Sequence, residues 1–280
     1  MRQIHAQDIS QAVAELCIEA NCVLPQDVAQ ALESARTCER SAVGCAVLDD
    51  LLENQKIARS RRLPICQDTG MAVVFAELGQ ELSIVGGDFE DAIHTGVAQG
   101  YTEGFLRASV VADPLRRRNT GDNTPAVIHL RLVKGDKLRL TLAPKGFGSE
   151  NMTGLVMLNP TATAEMVIDT VVERVRMAGA NPCPPVVVGV GLGGTAELAL
   201  ENSKRALLRT IGSSHADSYY GELEQRLLTA VNATGIGPGG LGGDNTALGV
   251  HILAAPTHIA GLPCAISLGC HALRHAEKTL

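Results

Sequence analysis

Residues 185–209 read PVVVGVGLGGTAELALENSKRALLR. A short valine-rich run passes through a cluster of glycines into a segment of good helix formers, which predicts a strand, a tight connection and a helix. Strand-to-helix units of this kind are the building pieces of an α/β fold.

The same alternation continues outward. Upstream, TATAEMVIDTVVERVRMA at 161–178 has helical spacing and stops at Gly179. Downstream, a helix near 217–230 precedes the loop GIGPGGLGGDNT and two short strands, ALGVHILAA and CAISLG. Towards the N-terminus, AVIHLRLVKGDKLRLTL alternates apolar and polar residues on both sides of Lys134-Gly135-Asp136, which predicts a hairpin. MAVVFAEL and ELSIVG read as strands, and a helix follows behind an Asp88 cap. The first sixty residues read as helices: Ile9, Val13, Leu16, Cys17 and Ala20 share one face behind an Asp8 cap, and SAVGCAVLDDLLENQKIA repeats the pattern behind Ser41. No clean linker or internal repeat interrupts the chain. The expected fold is therefore α/β, with an N-terminal helical part packed on a mixed β-sheet α/β domain. Residues 1–280 form one domain in this reading, helical over 1–62 and α/β over 63–280.

Composition narrows the function. Apolar residues make up 45% of the chain, enough for a sizeable core, but there are only four Phe, three Tyr and no Trp. Stacking platforms for single-stranded nucleic acid are thus not expected. The net charge of −6, with Lys and Arg spread along the chain, argues against a polyanion partner and leaves room for a small anionic substrate. The N-terminus MRQIHAQDIS has no apolar core of a signal peptide, and the most apolar late stretch is broken by Pro256, Pro263, His251 and His258. A cytoplasmic protein without a membrane span is expected. Eight cysteines in such a chain point to reduced thiols or metal ligands, and no C-x-x-C pair is present.

Two constellations carry chemistry. Gly189–Gly194, GVGLGG, fits the G-x-G-x-x-G pattern after a strand, which would make the protein a dinucleotide-binding oxidoreductase. The fingerprint also needs a second strand ending in an acidic residue, and the window RALLRTIGSSHADS has no such strand. The second constellation is a set of cysteines beside proline or glycine: Cys66 in LPICQDTG, Cys183 in NPCPP and Cys270 in SLGCHALR. Thiolates on stiff, irregular backbone suit an iron–sulfur cluster, and three of them on a four-iron cluster leave one iron open as a Lewis acid. Spacing alone leaves Cys264, which follows Pro263, an equal candidate.

Six segments carry a resemblance that spans residue 60 to the C-terminus: LPICQDTG, EGFLRASVVADPLRRRNTGDNTPA, PKGFGSENM, CPPVVVGVGLGGTAELA, GIGPGGLGGDNTALGVHI and CHALR. Together they resemble the class I iron–sulfur fumarate hydratases and the related L-tartrate dehydratases, in their α subunit or N-terminal domain. The resemblance implies a 4Fe-4S cluster held by Cys66, Cys183 and Cys270. It implies that Gln67 and Asp68 contact the bound dicarboxylate, with Asp68 moving the proton, that Arg107 pairs with a substrate carboxylate, and that Gly148 offers a backbone contact. It further implies a hydro-lyase that interconverts fumarate and L-malate or converts L-tartrate to oxaloacetate. Because the chain ends at Leu280, a separate β subunit is expected to complete the site; a non-catalytic partner that holds a cluster is the remaining alternative. Where this chain has His271, many relatives carry tryptophan or serine.

Overall fold

The computed structural model describes residues 2–280, which divide into two compact units, each α/β with its own mixed sheet and core. One unit comprises Met1–Pro25, Lys56–Phe147 and Arg274–Leu280; the other comprises Gln26–Gln55 and Gly148–Leu273. The helical segment expected over 1–62 is shared between them. No described helix is long and apolar enough to cross a membrane.

In the first unit, β1 (Arg2–His5) leads directly into α1 (Ala6–Cys22). β1 pairs in parallel with β3 (Leu82–Val85), a pairing that a four-residue strand with one buried side chain does not announce. The expected Asp8 cap is corrected: α1 starts three residues earlier, His5 stands at its N-cap without a side-chain bond, and Asp8 lies in the first turn. There its charge favours the positive end of the helix. Asp88 does cap α4 (Phe89–Glu103), accepting from the N–H groups of Glu90 and Asp91.

The four-stranded sheet corrects a second expectation. β4 (Val127–Val133) and β5 (Leu138–Lys145) are both strands, but they do not form a hairpin: β2 (Met71–Gly79) lies between them, parallel to β4 and antiparallel to β5. β10 (Ala276–Thr279) adds beyond β5. The reason is burial. β2 is apolar almost throughout and takes the interior, whereas β4 is mostly exposed and suits an edge. The connection instead arches over the end of β2, where Gly79 N–H donates to Lys137 O and Gln80 N–H to Val133 O, each at 2.9 Å. Val74, Ala76, Leu140 and Leu142 then face Ile9, Val13 and Leu16 of α1 and Ile93 and Val97 of α4 in one core.

The second unit holds α2 (Gln26–Cys38), most of α3 (Ala42–Arg61), and a sheet ordered β6 (Gly154–Leu158), β9 (Leu262–Gly269), β7 (Val186–Gly193), β8 (Ala247–Ala255). The short helix α5 (Phe147–Glu150) stands where the chain passes from one unit to the other. Every residue of β7 is buried, so both faces are covered. Val186, Val188 and Val190 pack with α6 (Ala164–Ala178) and α8 (Ser218–Asn232) in one cluster. The opposite face meets α7 (Ala196–Ala206): a Cβ on Gly191 would lie 1.9 Å from Ala199 O, and one on Gly189 2.1 Å from Ser203 O. Gly189 and Gly191 therefore lie within the strand and admit a helix at backbone contact, where the dinucleotide reading placed a phosphate-cradling turn. Gly193 and Gly194, at φ +84° and +73°, close the strand.

Candidate active site

The loop Leu63–Gly70 is fixed from several sides within the first unit. Ile65 N–H donates to Asn21 O at 2.9 Å, and Asn21 is itself fully buried. The Thr69 hydroxyl accepts from Arg107 N–H at 2.9 Å and reaches Arg107 O at 3.2 Å. The Tyr101 hydroxyl lies 2.8 Å from Thr69 O and 3.0 Å from Gly70 O, and burial pushes its pKa upward. Gly70 takes a left-handed φ of +73°, with its α-carbon against the Lys145 backbone.

Asp68 is the most firmly held of the candidate side chains. One carboxylate oxygen accepts from Gly70 N–H at 3.0 Å and the other from Phe147 N–H at 2.9 Å. Its own carbonyl accepts from the guanidinium of Arg274, which is 4% exposed. Each carboxylate oxygen keeps a further lone pair for a proton or a substrate group. Beside it Gln67 is exposed, Cys66 is half-buried and Arg107 is exposed. Thus the structure brings Cys66, Gln67, Asp68 and the Arg107 backbone onto one braced loop system. It also assigns supporting roles to Arg274, Tyr101 and Asn123. Asn123, fully buried at φ +63°, accepts from Ser109 and Val110 N–H and donates to Gly70 O. Arg274 and Asn123 stand in the CHALR and NTGDN stretches, but their work is to bond backbone atoms elsewhere, which residue type does not reveal.

In the second unit Cys183 is exposed and adopts φ +54°, a conformation uncommon outside glycine. Its carbonyl accepts from His271 N–H at 3.2 Å and lies 3.0 Å from His271 Nδ1. Cys270 follows the last residue of β9 and is half-buried. Gly148 lies against Asn181, two positions before Cys183: a Cβ there would meet Asn181 O at 3.0 Å. The glycine-rich loop also reaches this corner, Gly239 N–H donating to Pro184 O at 2.8 Å. That loop is pinned by the buried Glu39 carboxylate, which accepts from the N–H groups of Ser41, Asp244 and Asn245 and from the Asn245 side chain. Burial alone would raise the Glu39 pKa, but these hydrogen bonds outweigh it and hold the group below the usual glutamate range.

The thiols sort by environment. Cys17 and Cys264 are fully buried, and burial pushes the Cys264 pKa up to about 12. Cys264 is a core side chain of the second unit. Cys66, Cys183 and Cys270 keep solvent access, as do Cys38 and Cys45. Cys66 belongs to one unit and Cys183 and Cys270 to the other, and within neither unit do three or more described His, Cys, Asp or Glu gather as a metal-holding group.

A family model for fumarate hydratase (Fumerase) matches residues 10–279. The chain is 43% identical over 279 residues to a putative L(+)-tartrate dehydratase subunit alpha of Methanocaldococcus jannaschii, covering 97% of each protein. It is 30% identical over 287 residues to the L(+)-tartrate dehydratase subunit alpha of Escherichia coli K12, covering 99% of this chain and 94% of that protein.

Proposed function

The chain belongs to the fumarate hydratase (Fumerase) family of hydro-lyases, and from that premise we propose that it is the α subunit of an enzyme dehydrating a four-carbon 2-hydroxydicarboxylate. The names of its relatives favour L-tartrate, giving oxaloacetate, over L-malate, giving fumarate. A β subunit, implied by those same names, completes the enzyme.

One observation supports this chemistry above the others: Asp68, two residues beyond Cys66, has both carboxylate oxygens oriented by backbone N–H groups. Loss of water from a 2-hydroxy acid requires removal of a proton from the carbon next to the hydroxyl-bearing one, and a carboxylate with a fixed direction serves that step. Arg107 binds a substrate carboxylate through its guanidinium fork, its backbone held by Thr69. Gln67 supplies an amide to the same molecule, and Gly148 a backbone contact.

In this reading Cys66, Cys183 and Cys270 would hold a 4Fe-4S cluster: they are accessible thiols on irregular backbone, whereas Cys17 and Cys264 are sealed in cores and the accessible Cys38 and Cys45 belong to helices. When bound, the cluster supplies an open iron as a Lewis acid for the departing hydroxyl. The residues of this chain hold the cluster, orient the dicarboxylate and move the proton.

The test is an anaerobic preparation of the chain with its β subunit, assayed by proton NMR on L-tartrate and L-malate. Dehydration of L-tartrate in preference to L-malate is expected. A loaded α–β complex that dehydrates neither would overturn the reading and favour a non-catalytic cluster-holding partner.

A further inference from the structure

Arg274 opens the C-terminal segment of the first unit and is buried. Its guanidinium donates through Nη2 to Asp68 O, while its Nε is buried and meets no acceptor among the described residues. No described carboxylate forms an ion pair with it. A guanidinium keeps its proton in a protein, so this is a permanent interior charge. Such a charge lowers stability unless it is paired and fully hydrogen-bonded. Stability alone therefore does not account for a cation held in this way.

What Arg274 holds is the main chain of the candidate base. Three consecutive carbonyls of the loop are bound by side chains from elsewhere in the unit: Asp68 O by Arg274, Thr69 O by Tyr101 at 2.8 Å and Gly70 O by Asn123 at 3.0 Å. The Asp68 carboxylate in turn accepts from Gly70 N–H and Phe147 N–H. Asp68 is thus fixed at its carbonyl and at both carboxylate oxygens. The carbonyl sets the peptide plane from which the side chain departs, and Arg274 holds that plane across 206 positions of chain. A charged donor suits the task, since its hydrogen bond is about twice as strong as that of a neutral amide.

Resting on the hydro-lyase reading above, we propose that Arg274 is a positioning residue for proton removal, acting through the Asp68 main chain and not on the substrate. The direction of the base is what it secures. A misplacement of about 1 Å at a reacting group costs about 10²-fold in rate.

The experiment has two parts. Amide hydrogen exchange by NMR on the full chain compares wild type, Arg274→Lys and Arg274→Gln; the lysine keeps the charge, and the glutamine keeps only a neutral donor. Gly70 and Phe147 N–H should exchange about tenfold faster in Arg274→Gln, with Arg274→Lys between it and wild type and Leu140 of β5 unchanged. Equal exchange at Gly70 and Phe147, or equal acceleration at Leu140, would overturn the proposal. The second part is a double-mutant cycle in the loaded α–β complex. Arg274→Gln should lower kcat by about 10- to 10²-fold with KM unchanged, and should have little further effect in Asp68→Asn. The same fold-loss in both backgrounds would show that Arg274 does not act through Asp68. If wild-type complex dehydrates neither substrate, the hydro-lyase reading falls and exchange alone decides whether Arg274 holds Asp68. Should Arg274→Gln not fold, Arg274→Lys carries both parts: faster exchange at the two amides is expected, and wild-type exchange would overturn the proposal.

Discussion

The carbonyl of Cys183 is held by His271 twice, through the backbone N–H at 3.2 Å and ring Nδ1 at 3.0 Å, across 88 positions of chain. Because the carbonyl only accepts, Nδ1 bears the proton, and the loops carrying Cys183 and Cys270 behave as one piece. His271→Ala keeps the backbone bond and loses the ring bond, at a cost of about 1 kcal/mol to that junction. The reconstituted variant should release iron roughly five times faster than wild type, with unchanged circular dichroism. Equal release rates would show that the ring does not brace the cluster ligands.

Asp68→Asn removes the proposed base and keeps one acceptor oxygen, at the cost of one of the two backbone N–H bonds to the side chain. The expected loss is about 10²- to 10⁴-fold in kcat. Iron content should change little, because Cys66 is not altered, and the fall in kcat should exceed any change in KM. A variant with near-native kcat would take the proton-transfer role away from Asp68.

Much of this architecture was legible in the sequence because its strands and helices are long and strongly patterned. α6 ends at Gly179, where the helical spacing places it, whereas β7 runs through the glycines expected to form its connection and ends at Gly193. Pairing was less legible. The alternation around Lys134-Gly135-Asp136 reads as a hairpin, yet the more apolar β2 outcompetes β4 for the interior position beside β5. β1 and β10 are four residues each, too short for a periodic signal. The choice between Cys264 and Cys270 was open because both follow from the same apolar strand. Burial separates them: Cys264 faces Leu192 inside the sheet, whereas Cys270 lies just past its end. Tyr101, Asn123 and Arg274 escaped notice because they act on the backbone of distant residues.

The packing role assigned to the GVGLGG glycines makes Gly191→Ala a sharp test. The added methyl would meet Ala199 O at 1.9 Å, so α7 must move off the strand. Destabilisation of about 1–3 kcal/mol or more is expected, seen as a lower urea midpoint. A wild-type midpoint in Gly191→Ala would return those glycines to the list of candidate ligand contacts.

Glu39 gives stability a pH signature. Its folded pKa lies below the unfolded one, so its contribution is full above the usual glutamate range and is lost as pH falls through the lowered value. Glu39→Gln should therefore be less stable than wild type at pH 7, by about 1–3 kcal/mol for the buried donors left unmatched. The gap should close as pH falls below about 4. A constant gap down to acid pH would mean that the carboxylate charge does not hold the glycine-rich loop.

The most direct test of the central claim is iron and sulfide analysis after anaerobic reconstitution of wild type and the four variants Cys66→Ala, Cys183→Ala, Cys270→Ala and Cys264→Ala. The account predicts about four irons per chain in wild type and Cys264→Ala, and loss of the cluster in the other three. A cluster that survives removal of Cys66, Cys183 or Cys270, or that disappears with Cys264, would contradict the ligand set on which the proposed chemistry depends.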